Sequence, residues 1–253
     1  VWLTVRNQAG EVVRRIDGPL TRGFHRVAWD LRYPSTAAVD LKIDEDEDEP
    51  TGMLAAPGEY TVTLSRQVDG VVQELSEPVP FRVEPLRQGA LEGSPPPQAA
   101  AFWQEIARLQ RTVSASSTAL DRAMKRVEKL KIVLERTPVH PGELDTRLHT
   151  IRQELLELDK QMNGNRSKRQ VGEKRAPTFK DRLNFTRSGV RYSTYGPTPS
   201  QEISLEIARQ EFEIFKTELD RLVLQQLPIL EKDIQAAGAP WLEGQEIPEI
   251  DVE

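Results

Sequence analysis

Glu92-Gly93-Ser94-Pro95-Pro96-Pro97-Gln98 is where one sequence rhythm gives way to another. Before it, apolar residues alternate at the period of two that strands require. After it they return every three or four residues, the period of a helix. A proline run cannot carry sheet hydrogen bonds, and it biases the residue before each proline away from helix, so the boundary falls there. The expected architecture is multidomain, β plus α: a β domain over residues 1–91, a hinge at 92–98, helices over 99–240 and an extended tail at 241–253.

Working back from the hinge, Val1, Leu3 and Val5 alternate with Trp2, Thr4 and Arg6, and a turn at Asn7–Gly10 leads into a second extended run, Glu11–Ile16. Phe24–Asp30 reads as a third strand, Glu59–Ser65 as a fourth, Val71–Leu75 as a fifth and Val79–Val83 as the last. Asp69-Gly70 joins the fourth to the fifth, a pair suited to a type I′ turn because both central residues must tolerate positive φ. Many short strands without a helix predict an antiparallel two-sheet sandwich. Between the third and fourth strands, Asp44–Glu49 is an unbroken run of acids. Consecutive like charges make it a solvated loop, with weak divalent-ion binding and docking of a basic partner as the alternatives.

Forward from the hinge, Phe102, Ile106, Leu109, Val113, Ser116, Leu120, Ala123, Val127, Leu130 and Leu134 form one seam. Pro138 and Pro141-Gly142 interrupt it. Leu144, Leu148, Ile151, Leu155, Leu158 and Met162 form a second, ended by Asn163-Gly164, and the short connection requires the two helices to be antiparallel. A third seam runs through Leu205, Ala208, Phe212, Phe215, Leu219, Leu222 and Gln226, with Ser200 as its N-cap and Pro228 as a kink. Together they predict a long antiparallel three-helix bundle with an irregular linker at 164–199; an intermolecular coiled coil is the alternative.

That linker holds the candidate partner-binding residues. Arg166, Lys168, Arg169, Lys174, Arg175, Lys180 and Arg182 stand against two acids, and Tyr192 and Tyr195 follow in a small-residue stretch. The basic run reads as a solvated linker, or else as a contact for phosphates or anionic headgroups. The tyrosines lash the linker across the bundle or meet a partner.

At −6, the net charge gives no general pull toward nucleic acid, and none is expected as a partner. With no cysteine there is no disulfide or thiol chemistry. No apolar run reaches the roughly 18 to 20 residues that cross a bilayer, so no transmembrane segment is expected. His25, His140 and His149 lack metal-ligand spacing, and no phosphate loop, nucleophile elbow or singled-out carboxylate pair occurs. The expectation is a non-enzyme without metal or cofactor. Val1 opens directly in a strand pattern, which reads as part of a longer polypeptide.

The runs Val5–Arg14, His25–Asp30 and Ala56–Leu64 resemble the immunoglobulin-like module of flagellar hook-capping proteins. With Phe102-Trp103 and Ala237–Trp241, nearly the whole chain resembles the C-terminal region of bacterial sortilin-like BNR-repeat proteins. The resemblance implies that Trp29 fills an inter-sheet core, that Pro57-Gly58 starts the strand carrying Tyr60, and that the chain is periplasmic or extracellular. It further implies a protein-interaction or scaffold module whose partner is its own N-terminal propeller or a larger membrane-associated assembly. An accessory region of a glycan-active propeller enzyme and a processed subunit of such an assembly are the rival readings.

Overall fold

The computed structural model describes residues 1–39, 51–86, 93–138, 140, 142–191 and 195–247. The acidic run 44–49, Tyr192, the end of the tail and the side chains of Arg166 and Arg169 lie outside the described residues. An antiparallel sheet is followed by helices, so the protein is β plus α. Its packing divides it into two units, Val1–Arg111 with Phe185–Ile203 and Thr112–Asn184 with Ser204–Glu253.

In the first unit β1 (Trp2–Asn7), β2 (Val12–Asp17), β3 (Gly58–Val68), β4 (Val71–Glu74) and β5 (Val79–Val83) form one sheet ordered β2-β1-β3-β4, with β5 also on β3. Ser65 pairs with both Trp2 and Glu74, and Tyr60 with both Asn7 and Phe81. Thus β4 and β5 share the β3 edge that faces away from β1. Asp69 and Gly70 both have positive φ, 50° and 82°, as a type I′ turn demands. A bulge between β1 and β2 leaves Val13 unpaired and turns it inward, 1% exposed, while Val12 stays out.

The core on one sheet face is Val5, Val13, Ala55 and Tyr60, with Ile16, Trp29, Tyr33, Val62, Phe81 and Val83 packed around it. Trp29 meets Tyr60 edge-on at 5.4 Å and Phe81 at 6.1 Å. The Tyr60 hydroxyl donates to the Ala56 carbonyl at 2.5 Å. Burial pushes the Tyr60 phenol above its usual range, with Tyr33 adding to the shift.

The expected third strand does not form. Residues 24–30 are irregular, and Phe24, His25 and Arg26 are exposed. Local bonds displace the ladder: Trp29 Nε1 donates to the Arg32 carbonyl, the Arg32 N–H donates to Asp30 Oδ1, and Leu31 adopts φ 58°. Among the described residues the chain beyond this stretch forms one isolated bridge, Arg32 with Leu54, flanked by bonds from Tyr33 N–H to Met53 O and from Ala55 N–H to Leu31 O. Trp29 is therefore partly buried over one sheet. Leu31, two residues further on, is 40% exposed.

Helix α1 (Pro96–Glu135) starts with Pro96 and Pro97 in its first turn, where a missing N–H leaves no helix bond unmade. In the first unit it buries Ala99, Phe102, Trp103 and Ile106. In the second, Val113, Ser116, Leu120, Ala123, Val127, Leu130 and Leu134 of the same seam are buried. Helix α2 (Gly142–Asn163) buries Leu148, Ile151, Leu155, Leu158 and Met162, and ends at Gly164 with φ 74°.

The third seam is three consecutive pieces: α5 (Pro199–Asp220), a π-helical segment (Arg221–Gln226) and α6 (Leu227–Ala236). Its cap is Thr198 rather than Ser200: Gln201 N–H donates to Thr198 Oγ1 and Thr198 N–H donates to Gln201 Oε1, a capping box. Leu222 is buried, but the next buried position is Leu227, not Gln226. The π segment accommodates the extra residue, with Leu227 N–H bonding to Leu222 O.

Candidate interaction surface

The stretch expected to be an irregular linker holds two helices, α3 (Arg166–Gln170) and α4 (Phe179–Arg191). A capping box starts α4: Thr178 N–H donates to Asp181 Oδ2 at 2.9 Å and Asp181 N–H donates to Thr178 Oγ1 at 3.2 Å. Phe179, Leu183, Thr186 and Val190, spaced by four, three and four residues, are its buried stripe. In the second unit Phe179 packs on Phe212 and Phe215, with ring centroids at 5.5 and 5.0 Å.

That packing commits much of the basic run. Arg175 holds Asp181 at 2.6 Å, Lys168 reaches Glu173 at 3.5 Å, Lys180 donates to Asn163 Oδ1 at 2.9 Å, and Arg182 lies 3.8 Å from Glu211. Burial raises the Asp181 pKa, but bonds from Arg175 and from the backbone and hydroxyl of Thr178 outweigh it and hold the carboxyl below its usual range. The Asp181 bond in turn raises the Arg175 guanidinium. Lys174 is exposed and has no bond among the described residues, so of the candidates with described side chains it is the freest cation.

Tyr195 belongs to the first unit. Its carbonyl accepts the Ser94 N–H at 2.7 Å, and its side chain is 41% exposed. Gly93 and Gly196 make that crossing possible. A Cβ on Gly93 would lie 2.7 Å from the Tyr195 carbonyl oxygen, and one on Gly196 would lie 2.5 Å from the Ser94 Cβ. The Tyr195 backbone is thus fastened to the chain just ahead of α1.

Sequence reading passed over a second exposed feature. Val71 and Val72 of β4, Leu75, and Val79 of β5 are 71%, 55%, 45% and 54% exposed along one sheet edge. Their signal was the same period-two apolar run that identified the strands. The run alone does not say whether a layer covers it. Among the described residues no group of three or more acidic or histidine side chains could hold a metal, and no helix is long and apolar enough to cross a membrane. His25, placed outside any strand, has Nε2 2.6 Å from the Thr21 carbonyl.

No family model matches the chain, and no solved structure matches it. Over 125 residues, 47% of this chain and 56% of the relative, it is 26% identical to the virion protein US10 homolog of Gallid herpesvirus 2, strain GA, and equally to that of strain Chicken/Md5/ATCC VR-987. The chain spans about half the length of the curated relatives it matches. That likeness assigns no role to any residue.

Proposed function

We propose that this chain is a non-catalytic protein-interaction or scaffold module of a bacterial envelope protein, with periplasmic or extracellular placement. The supporting observation is the exposed apolar character of the β4–β5 edge, Val71 and Val79 on one sheet face, Val72 on the other and Leu75 following β4, an edge that water solvates poorly and protein covers well. Lys174, which has no bond among the described residues, is the candidate of the former linker that this reading assigns to a contact, with the 41% exposed Tyr195 beside it in the sequence reading. The finer architecture of this reading is an Ig-like sandwich whose second layer is reduced to the Arg32–Leu54 ribbon, and an antiparallel three-helix bundle. Ion pairs Arg152–Glu128, Arg126–Glu231 and Arg221–Glu154 tie its three members pairwise and support it.

The partner in this reading is protein: a propeller of the sortilin-like type, or a larger membrane-associated assembly. Cross-linking mass spectrometry on the natively expressed chain tests it. Val72→Asp and Tyr195→Ala are expected to lose the partner at matched folded concentration. Full retention in both removes these surfaces from the reading, and turnover of a glycan by the purified chain overturns it.

A further inference from the structure

Helix α5 buries one apolar row and leaves a second in solvent. The buried row includes Phe212 and Phe215. On another face of the same helix, Ile207, Gln210, Ile214 and Thr217 follow one another at steps of three, four and three, the spacing of a coiled-coil seam. Ile207 is half-buried, Gln210 and Thr217 are exposed, and Ile214 is 70% exposed. One turn earlier the helix also exposes Ile203. Single isoleucines on a surface are ordinary. Isoleucines at heptad spacing, on a helix whose core face is already packed, offer one half of a helix–helix contact.

The flanks of the row say what the other half is. With Ile207 and Ile214 as a positions and Gln210 and Thr217 as d, every e and g position between residues 206 and 220 is acidic: Glu206, Glu211, Glu213, Glu218 and Asp220. A second copy of α5 would set these carboxylates against one another, whether the pair ran parallel or antiparallel. An anionic lipid surface meets the same repulsion, since helices that lie on membranes edge their apolar face with lysine and arginine. Bonds within the chain do not commit the acids elsewhere. Glu206 holds Arg209 at 3.0 Å, Glu218 holds Arg221 at 2.9 Å and Asp220 bonds Lys216, each pair one turn apart and partly solvated. Such pairs contribute little and exchange readily for another cation. Glu211 lies 3.8 Å from Arg182, and Glu213 has no ion pair among the described residues.

We propose that this face of α5 docks an amphipathic helix of a partner protein whose apolar seam is edged with lysine and arginine. Ile207 and Ile214 fill the seam, and β-branched residues at a suit a two-stranded contact. Gln210 and Thr217 at d weaken the contact and fix its register. The carboxylates on both sides select the basic partner and speed its approach. The inference goes beyond the sheet-edge contact and shares no residue with it.

The test uses the full chain and two synthetic peptides of about three heptads, both with isoleucine at a and leucine at d, one with lysine and one with glutamate at e and g. Like charges keep each peptide from pairing with itself. Fluorescence anisotropy is expected to show saturable, salt-sensitive binding of the lysine peptide and at least tenfold weaker binding of the glutamate peptide. Ile214→Asp should weaken the lysine peptide at least tenfold, and Glu213→Lys should weaken it while strengthening the glutamate peptide. Both sites are exposed, circular dichroism checks the fold, and Ile214→Ser replaces a variant that misfolds. No saturation by roughly 1 mM overturns the proposal. Equal binding of the two peptides overturns it too, as does unchanged affinity in Ile214→Asp. So does dimerisation of the chain that Ile214→Asp abolishes, because a second copy is then the occupant. Val72→Asp should bind the lysine peptide as the parent does. If the peptide fails while Val72→Asp still loses its cross-linked partner, the α5 proposal falls and the sheet-edge reading stands.

Discussion

The two units bury their cores by different means. In the second, Leu120, Leu130, Leu155, Phe215, Leu230 and Ile234 are at most 1% exposed, all on helices that carry a complete apolar stripe of their own. In the first, the sheet core comes down to Val5, Val13, Ala55 and Tyr60, and the largest side chain against it, Trp29, remains partly exposed. A helix satisfies its backbone within itself, so any seam can be buried without a new hydrogen-bonding partner. A strand pattern needs another strand beside it. Where residues 24–30 find none, Phe24, His25 and Arg26 stay exposed and Trp29 is the side chain they set against the sheet core.

The largest effect expected from that contrast falls on Phe215. Phe215→Ala removes a fully buried ring that stacks on Phe212 and meets Phe179 at a tilt, and should cost about 3 to 5 kcal/mol in urea unfolding followed by helical circular dichroism. A loss under about 1 kcal/mol would mean that the helical core can collapse into the space. Trp29→Ala should cost less, about 2 kcal/mol, because part of the ring already faces solvent. The readout is amide exchange at β3 and β5, which should quicken while α2 exchanges as before. A loss as large as that at Phe215 would restore the inter-sheet position that the sequence suggests.

A smaller effect belongs to the start of α4. Thr178→Ala removes one half of its capping box and should cost about 1 kcal/mol. The pH dependence carries its own sign. Asp181 titrates below its ordinary value in the folded protein, so its contribution is complete above 3.8 and is lost as pH falls through the depressed folded value. Acid unfolding curves of Asp181→Asn should therefore be flatter than those of the parent below about pH 4. Equal slopes would show that the Arg175 bond does not persist in solution.

How far the fold was legible follows from the same contrast. The seams of α1 and α2 could be read because every step is local. Five strands could be read too, but their register bulge at Val13 and the failure of 24–30 depend on which partners exist. The stripe Phe179, Leu183, Thr186 and Val190 was present in the sequence, with Thr178-x-x-Asp181 ahead of it, and was hidden by Gly189, by a buried threonine and by the basic charge around it. The candidate basic run was legible as charge only, since its pairing with Asn163 and Glu211 needs helices folded against each other.

The smallest effect, and the sharpest question about local against tertiary control, is at Pro228. Proline lacks the N–H that would bond to the Leu224 carbonyl, and its ring would crowd that oxygen in a regular helix, so it offers a local cause for the π segment. The buried positions offer another. Leu222 and Leu227 are five residues apart, and converting the segment to α-helix would rotate Leu230 and Ile234 by about 100° relative to Phe215 and Leu219, taking one set out of the core. Burial of several large side chains outweighs one backbone preference. Pro228→Ala, at an exposed site, should therefore keep the π segment and change stability by less than about 0.5 kcal/mol. A structure of the variant with continuous α-helix through Leu227, and Arg221 displaced from Glu154, would show instead that the proline alone imposes the extra residue.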